Sequence, residues 1–343
     1  MKLSSITLAV ATLITSTINA QKVQTTQDSI REFYGMVFPL MKNSYVQRDK
    51  VDWKDLQKTV NTNLSQYTDF KSSLKELTTI FTTANANHCA VYYKDKKFAG
   101  NFKGVTTDDF SGQWLKKFQS KPGFEVKVLD NKYGYILLPG ISINGSGEEI
   151  NKVAQPMYDA INKIKSSQKP EAWIIDLRQN TGGNCVPMIL ALYDLLGDNK
   201  VWGILNEKKK FESSVRLDKG KYIEKKYTTS YVHPNGALID KIKVAVIMNQ
   251  ATGSSGEVTA LAFKGRENTI FIGDHTNGMT TTNTVVELPF GATFAITIGY
   301  DCDRNGNYYD VIQPDVSVIR QDNFDDLLKD GNVLEAIKFF TTI

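Results

Sequence analysis

Trp173-Ile174-Ile175-Asp176-Leu177-Arg178-Gln179-Asn180-Thr181-Gly182-Gly183 and Val244-Ala245-Val246-Ile247-Met248-Asn249-Gln250-Ala251-Thr252-Gly253-Ser254-Ser255-Gly256-Glu257 decide the reading of this chain. In each, a short apolar run of the kind that makes a strand buried on both faces stops at polar residues and glycine. An apolar-periodic helix follows each. Ligands of such sheets bind beyond the carboxyl ends of the strands, where loops and helix N-termini present free backbone N–H groups. One loop offers glycine N–H groups and the other a serine hydroxyl, the minimum equipment for acyl transfer.

Outward from these stretches, strands alternate with helices from about residue 123. The strands are expected at 124–129, 133–138, 172–177, 200–205, 243–248, 269–272, 283–288 and 292–300. Helices are expected at 147–166, 184–196 and 254–265, the first opened by a Ser146/Glu149 capping box and kinked or split at Pro156. This alternation argues for an α/β core with a largely buried sheet. Upstream, Ile30, Phe33, Tyr34, Val37, Phe38 and Met41 recur at helical spacing, as do Trp53, Leu56, Val60, Leu64 and Tyr67, then Phe70, Leu74, Leu77 and Phe81. They predict a small N-terminal helical bundle that ends at Asn85-Ala86-Asn87-His88-Cys89.

The first twenty residues carry Lys2, an apolar stretch diluted by Ser and Thr, and Asn19-Ala20 before polar Gln21. This reads as a secretory signal cleaved after Ala20, too short and too hydroxylated for a spanning helix. The expected division is therefore a signal peptide at 1–20, a helical domain and linker at 21–122, and a catalytic core at 123–343. A secreted or periplasmic protein without stable membrane insertion follows. The formal charge of +4 is modest, and the Lys208-Lys209-Lys210 run has only Phe211 beside it, so no nucleic-acid partner is expected. Three cysteines, Cys89, Cys185 and Cys302, are too few for a disulfide framework; Cys89 and Cys185 either pair across two turns or stay as buried thiols. None has metal-ligand spacing, and no cofactor is expected.

Asp176-x-Arg178-x-Asn180-x-Gly182-Gly183 is followed by Thr252-Gly253-Ser254-Ser255-Gly256-Glu257. Next come Gly273-Asp274-His275-Thr276-Asn277-Gly278 and Ile312-Gln313-Pro314-Asp315. In this order, covering the chain from Tyr133 onward, they resemble the tail-specific and tricorn-core serine peptidases. The resemblance implies a crotonase-like α/β catalytic core and a peptide or unfolded-protein substrate. It makes Ser254 the nucleophile, at a helix start where the dipole and free N–H groups favour negative charge. The other reading of Thr252 to Ser255 is a plain helix cap. The resemblance further gives the oxyanion to the N–H of Ser255 and that of Gly182 or Gly183.

The base differs between branches of that family. The tail-specific branch uses a Lys where this chain has Gly278-Met279-Thr280, and Met279 cannot take a proton. The tricorn-like branch uses a His just after the N-terminal helices, which is the place of His88. His275 is the second candidate, as base or substrate contact, and His233 reads as a loop residue. Two positions depart from the tricorn-like pattern: Asn87 stands where a hydroxyl is expected, and Tyr308 where a Glu is. Asp310, the nearest carboxylate, is the expected orienting acid.

The segment between His88 and Tyr133 is about half of what a PDZ domain needs, so peptide binding falls to the cleft between bundle and sheet or to an exposed sheet edge. Asp301-x-Asp303-x-Asn305-Gly306 reads either as a hairpin turn or as the start of a calcium loop, which lacks its position-12 Glu at Ile312. Two functions remain open: an exported serine endopeptidase with a Ser/His mechanism, or an inactive protein on the same scaffold that binds a peptide or apolar ligand. Related domains in the retinoid-binding protein of the eye permit the second.

Overall fold

A computed structural model describes residues 25–143 and 145–342; the expected signal peptide lies outside the described residues. The chain opens with four helices, α1 (Thr26–Ser44), α2 (Trp53–Leu64), α3 (Phe70–Ser73) and α4 (Glu76–Thr83). Their starts are fixed locally. Thr25 and Asp28 form a capping box on α1, and Asp52 and Asp69 accept from the first free N–H groups of α2 and α3. Each helix turns its apolar stripe inward, with Phe33, Val37, Met41, Val60, Leu74, Leu77 and Phe81 fully buried.

Then follow β1 (Ala90–Tyr93), β2 (Lys96–Ala99), α5 (Gly112–Gln119), β3 (Glu125–Leu129), β4 (Tyr133–Leu137), α6 (Gly147–Gln168) and β5 (Ala172–Asp176). After these come α7 (Cys185–Ala191), α8 (Tyr193–Leu196), β6 (Lys200–Leu205), β7 (Phe211–Asp218), β8 (Lys221–Glu224), β9 (Tyr227–Tyr231) and β10 (Lys243–Met248). The chain closes with α9 (Ser255–Leu261), β11 (Thr269–Gly273), β12 (Thr281–Leu288), β13 (Ala292–Cys302), β14 (Val316–Ser317) and α10 (Gly331–Thr341). Helix α6 runs through Pro156 without a break. The expected helix at 184–196 is two, α7 and α8, meeting at Leu192.

Two sheets result. One has the order β14-β11-β10-β5-β4-β3, parallel except for the β3–β4 hairpin. Its central strands, β5 and β4, are buried along their whole length, which is why they read as unbroken apolar runs rather than alternating ones. One face packs on α6, α7 and α9 through Trp173, Ile175, Tyr158 and Phe263. The other, with Ile174, Ala245 and Ile247, packs on α10 through Val333 and Ala336.

The second sheet runs β2-β1-β13-β6-β7-β8-β9, with β12 also on β13. Here the N-terminal helices are not a bundle closed on itself. Their apolar stripes share a core with Phe294, Ile296, Tyr300 and Cys302 of β13, Phe81 and Phe294 meeting at 5.6 Å between ring centroids. Strands β1 and β2, from the same part of the sequence, join this sheet through β13. That packing carries the end of α4, and with it His88, across to β12. Among the described residues no helix is long and apolar enough to cross a membrane.

Candidate active site

The two loops that leave β5 and β10 are sewn together. Leu177 N–H donates to Ile247 O at 2.8 Å and Gly253 N–H to Asn180 O at 3.1 Å; the Thr252 hydroxyl reaches Leu177 O at 2.9 Å. The Ser255 hydroxyl donates to Gly183 O at 2.7 Å. Close approach demands glycine at two places. A Cβ on Gly182, where φ is +111°, would lie 3.0 Å from Ser254 Cβ, and one on Gly183 would lie 2.1 Å from Ile141 O. Ser254 itself sits at φ 52° and ψ −118°. A side-chain-bearing residue held there stores about 1–3 kcal/mol of backbone strain, which the surrounding hydrogen bonds must offset.

That conformation points the hydroxyl at the helical half of the molecule. Ser254 Oγ lies 3.0 Å from His88 Nε2, and His88 Nδ1 lies 2.7 Å from Thr281 Oγ1. With the Nδ1 proton given to Thr281, Nε2 keeps its lone pair for the serine proton. The imidazole is fixed from its backbone as well, since Asn283 Nδ2 donates to His88 O at 2.9 Å. Burial, aided by the positive charge of Lys97, lowers the His88 pKa from 6.5 to about 4, with Thr281 pulling the other way. At neutral pH the ring is an uncharged base.

Glu257 secures the other partner. Its buried carboxylate accepts from the N–H groups of Ser254 at 2.9 Å, Gly278 at 2.8 Å and Met279 at 2.7 Å. Burial raises its pKa, while the hydrogen bonds from Thr276, Gly278, Met279 and Ser254 oppose the rise. The Ser254 N–H is therefore occupied, and so is that of Gly182, which donates to Asn180 Oδ1 at 3.1 Å. Among the described residues neither the Gly183 nor the Ser255 N–H is given an acceptor by the loops around it.

Residues 132–318, which hold β4 to β14, both stitched loops and the β12 clamp on the histidine, match the family described as Peptidase family S41. The chain belongs to peptidase family S41. It is 37% identical over 145 residues to the nisin-resistance protein of Lactococcus lactis subsp. lactis, covering 42% of this chain and 45% of that one. It is 26% identical over 167 residues to the carboxyl-terminal-processing protease of Picosynechococcus sp. (strain ATCC 27264 / PCC 7002 / PR-6), covering 49% of this chain and 34% of that one. The chain thus spans less than half the length of either relative. Its fold is similar to that of a lipoprotein from Streptococcus agalactiae, with a TM-score of 0.64 at 20% identity over 84% of this chain and 92% of that one.

Within this S41 chain, the other residues singled out by sequence fall into place or outside it. Asp310 is not where an orienting acid must be: its side chain is 85% exposed and 4.0 Å from Lys209 Nζ, while Thr281 holds the position beside Nδ1. A carboxylate at the mouth of a hairpin cannot orient a ring that another strand already grips. His275 Nδ1 lies 2.8 Å from Thr276 O in the loop after β11; no contact to Ser254 or His88 is formed among the described residues. All three cysteines are free, Cys89 set against Thr297. Asp303 accepts from Asn305 N, Asn307 N, Asn307 Nδ2 and Tyr309 OH, a turn that folds back on its own carboxylate.

Sequence reasoning missed Thr281 and Asn283. The signal available was the run Thr280-Thr281-Thr282 directly after Met279, where the tail-specific pattern carries a lysine. Asp176 and Arg178, by contrast, prove architectural. The Arg178 guanidinium is fully buried and pairs with Asp176 at 2.6 Å, Asp322 at 2.6 Å and Asp330 at 2.8 Å. Its backbone carbonyl accepts from Trp114 Nε1 at 2.7 Å.

Proposed function

We propose that this chain is an exported serine endopeptidase that cleaves peptides through an acyl-enzyme, with Ser254 as nucleophile and His88 as general base. The 3.0 Å contact between Ser254 Oγ and His88 Nε2 supports this reading most directly. Ser254 Oγ attacks the scissile carbonyl as its proton passes to Nε2. The developing oxyanion is received by the N–H groups of Gly183 and Ser255. Collapse breaks the C–N bond, Nε2 returns the proton to the leaving amine, and the acyl group stays on Ser254 as an ester. Water then repeats the cycle with His88 again as base. Without a carboxylate behind it, the imidazolium is less stabilised than in a triad with an acid, so a slow enzyme is the expectation.

Export rests on the reading of residues 1–20. The nisin-resistance relative makes nisin a first peptide to test. A fluorophosphonate probe should label Ser254, and Ser254→Ala should remove hydrolysis by about 10⁴-fold or more while the thermal midpoint stays. Retained turnover in that variant refutes the assignment. A folded protein that takes no label and cuts no peptide is instead a binder of a peptide or apolar ligand on the same scaffold.

A further inference from the structure

Asp301 is a buried carboxylate that the proposed chemistry does not use. It is 2% exposed at the end of β13, where the sequence reads as a hairpin turn or as the start of a calcium loop without its position-12 Glu. Its side chain turns inward, away from the Asp303 turn, and accepts from the Thr282 hydroxyl at 2.5 Å. Its own N–H donates to Thr280 O at 3.0 Å. Asp301 thus holds the first residues of β12 by both main chain and side chain.

Those residues are the ones that hold His88. Side chains alternate along a strand, so Thr281 and Asn283 face the histidine while Thr282 between them faces Asp301. The pairing of β12 with β13 is irregular at this point. Thr281 lies opposite Tyr300 and Thr282 opposite Gly299, but Asn283 lies opposite Thr297, leaving Ile298 without a partner. The extra residue, Ile298, is on β13, and a bulge of this kind twists the local pairing and re-aims the side chains beside it. We propose that Asp301 is a positioning residue for the active site: through Thr282 it fixes the strand whose Thr281 and Asn283 orient His88.

This proposal rests on the Ser254/His88 reading for its kinetic consequences, but the geometry it asserts can be measured without turnover. Burial pushes the Asp301 carboxyl up to about 7, the Thr282 hydrogen bond opposing and the charge of Glu257 on α9 adding. The other titratable groups facing it are Cys185 on α7 and Cys302 beside it on β13. Both thiols are pushed up to about 12 by burial, with the Asp301 charge contributing, so both stay neutral. The ionised carboxylate is the stronger acceptor for Thr282. Breaking the Thr282 hydrogen bond alone is thus harder once Asp301 ionises, whereas any opening that exposes the carboxyl is favoured as pH rises, because the raised pKa belongs to the buried form.

The test compares the full chain with Asp301→Asn, Asp301→Ala, Thr282→Val and Thr282→Ser. Histidine-ring ¹⁵N NMR reports the His88 tautomer and its Nδ1–H signal. Peptide hydrolysis followed from about pH 4 to about pH 9 separates kcat from KM, and thermal midpoints report folding. Asp301→Ala and Thr282→Val should broaden or lose the Nδ1–H signal and lower kcat roughly tenfold with KM within about twofold. Thr282→Ser should restore most of what Thr282→Val loses. Asp301→Asn keeps an acceptor and should keep the ring signal, while the step in kcat near neutral pH disappears.

Unchanged ring signals and kcat in both Asp301→Ala and Thr282→Val overturn the proposal, as does a kcat loss no larger than the lost folded fraction. If Asp301→Ala does not fold, Thr282→Val decides. If the parent protein cleaves no peptide, the peptidase reading fails on its own, and the NMR comparison still decides the role of Asp301.

Discussion

Two constellations share the loop that leaves β5, and they use charge in opposite ways. At its start, Arg178 is surrounded by Asp176, Asp322 and Asp330, with the Phe324 ring 4.4 Å from the guanidinium. At its end, Gly182 and Gly183 meet Ser254, whose hydroxyl faces an uncharged imidazole that is held in turn by the Thr281 hydroxyl. The first cluster ties β5 to the C-terminal segment around α10, a purely architectural task, and spends full charges on it. The second is the constellation proposed for proton transfer, and among the described residues no carboxylate contacts its histidine. Formal charge concentrates where the frame is locked, while at the proposed site the Glu257 carboxylate reaches the Ser254 N–H and not the histidine, so the conspicuous Asp-x-Arg pair is a poor guide to the proposed chemistry.

Removing the guanidinium is the harshest way to break this contrast. Arg178→Met leaves three carboxylates facing each other in a site that excludes water. Loss of one partner from a buried ion cluster costs about 3–5 kcal/mol, and urea unfolding should show a loss of that size. Activity should fall only as far as the fold does: at concentrations where the variant is folded, fluorophosphonate labelling of Ser254 should persist. A stable variant that no longer labels would mean that Arg178 serves the chemistry directly.

The opposite end of the loop breaks differently. Thr281→Val removes the group beside His88 Nδ1 and should lower kcat by about 10- to 100-fold, the effect of leaving a catalytic base unoriented, with little change in unfolding. Thr281→Asp supplies the missing charge. It should raise the His88 pKa and shift the acid limb of kcat/KM upward, because an adjacent carboxylate favours the imidazolium. An unshifted limb in Thr281→Asp, together with unimpaired Thr281→Val, would remove Thr281 from the mechanism.

The legibility of the two clusters follows the same contrast. Strands such as β5 and β10 are buried on both faces and stand out as apolar runs, so the parallel sheet can be read from sequence. Strands β7 to β9 cannot: Phe211-Glu212-Ser213-Ser214-Val215-Arg216-Leu217-Asp218 buries only alternate residues, and Lys219, Lys225 and Lys226 interrupt the pattern. Strands β1 and β2 have four residues each; β1 is held by β13, some two hundred residues later, and β2 only by β1. In the site, the meeting of Ser254 and His88 is legible because both belong to ordered motifs. Thr281 is not, since a hydroxyl on a strand has no local signature. Asp310 looked suitable only through sequence distance, which says nothing about the side of a hairpin on which a residue emerges.

The gentlest test concerns the uncharged state of the base. His88 is depressed to about 4 mainly by burial and secondarily by Lys97, so the acid limb of kcat/KM should lie near pH 4 rather than near the ordinary 6.5. Folding stability should carry the matching signature. The unfolded imidazole binds a proton near 6.5 and the folded one only near 4, so stability declines as pH falls through that window and His88 adds no further decline below it. Lys97 is exposed, so its share is screened by salt. Lys97→Ala should therefore raise the limb by a fraction of a unit at low ionic strength, and the shift should vanish at about 1 M salt. A limb that stays near pH 4 at every salt concentration in both proteins would leave burial alone holding the base neutral.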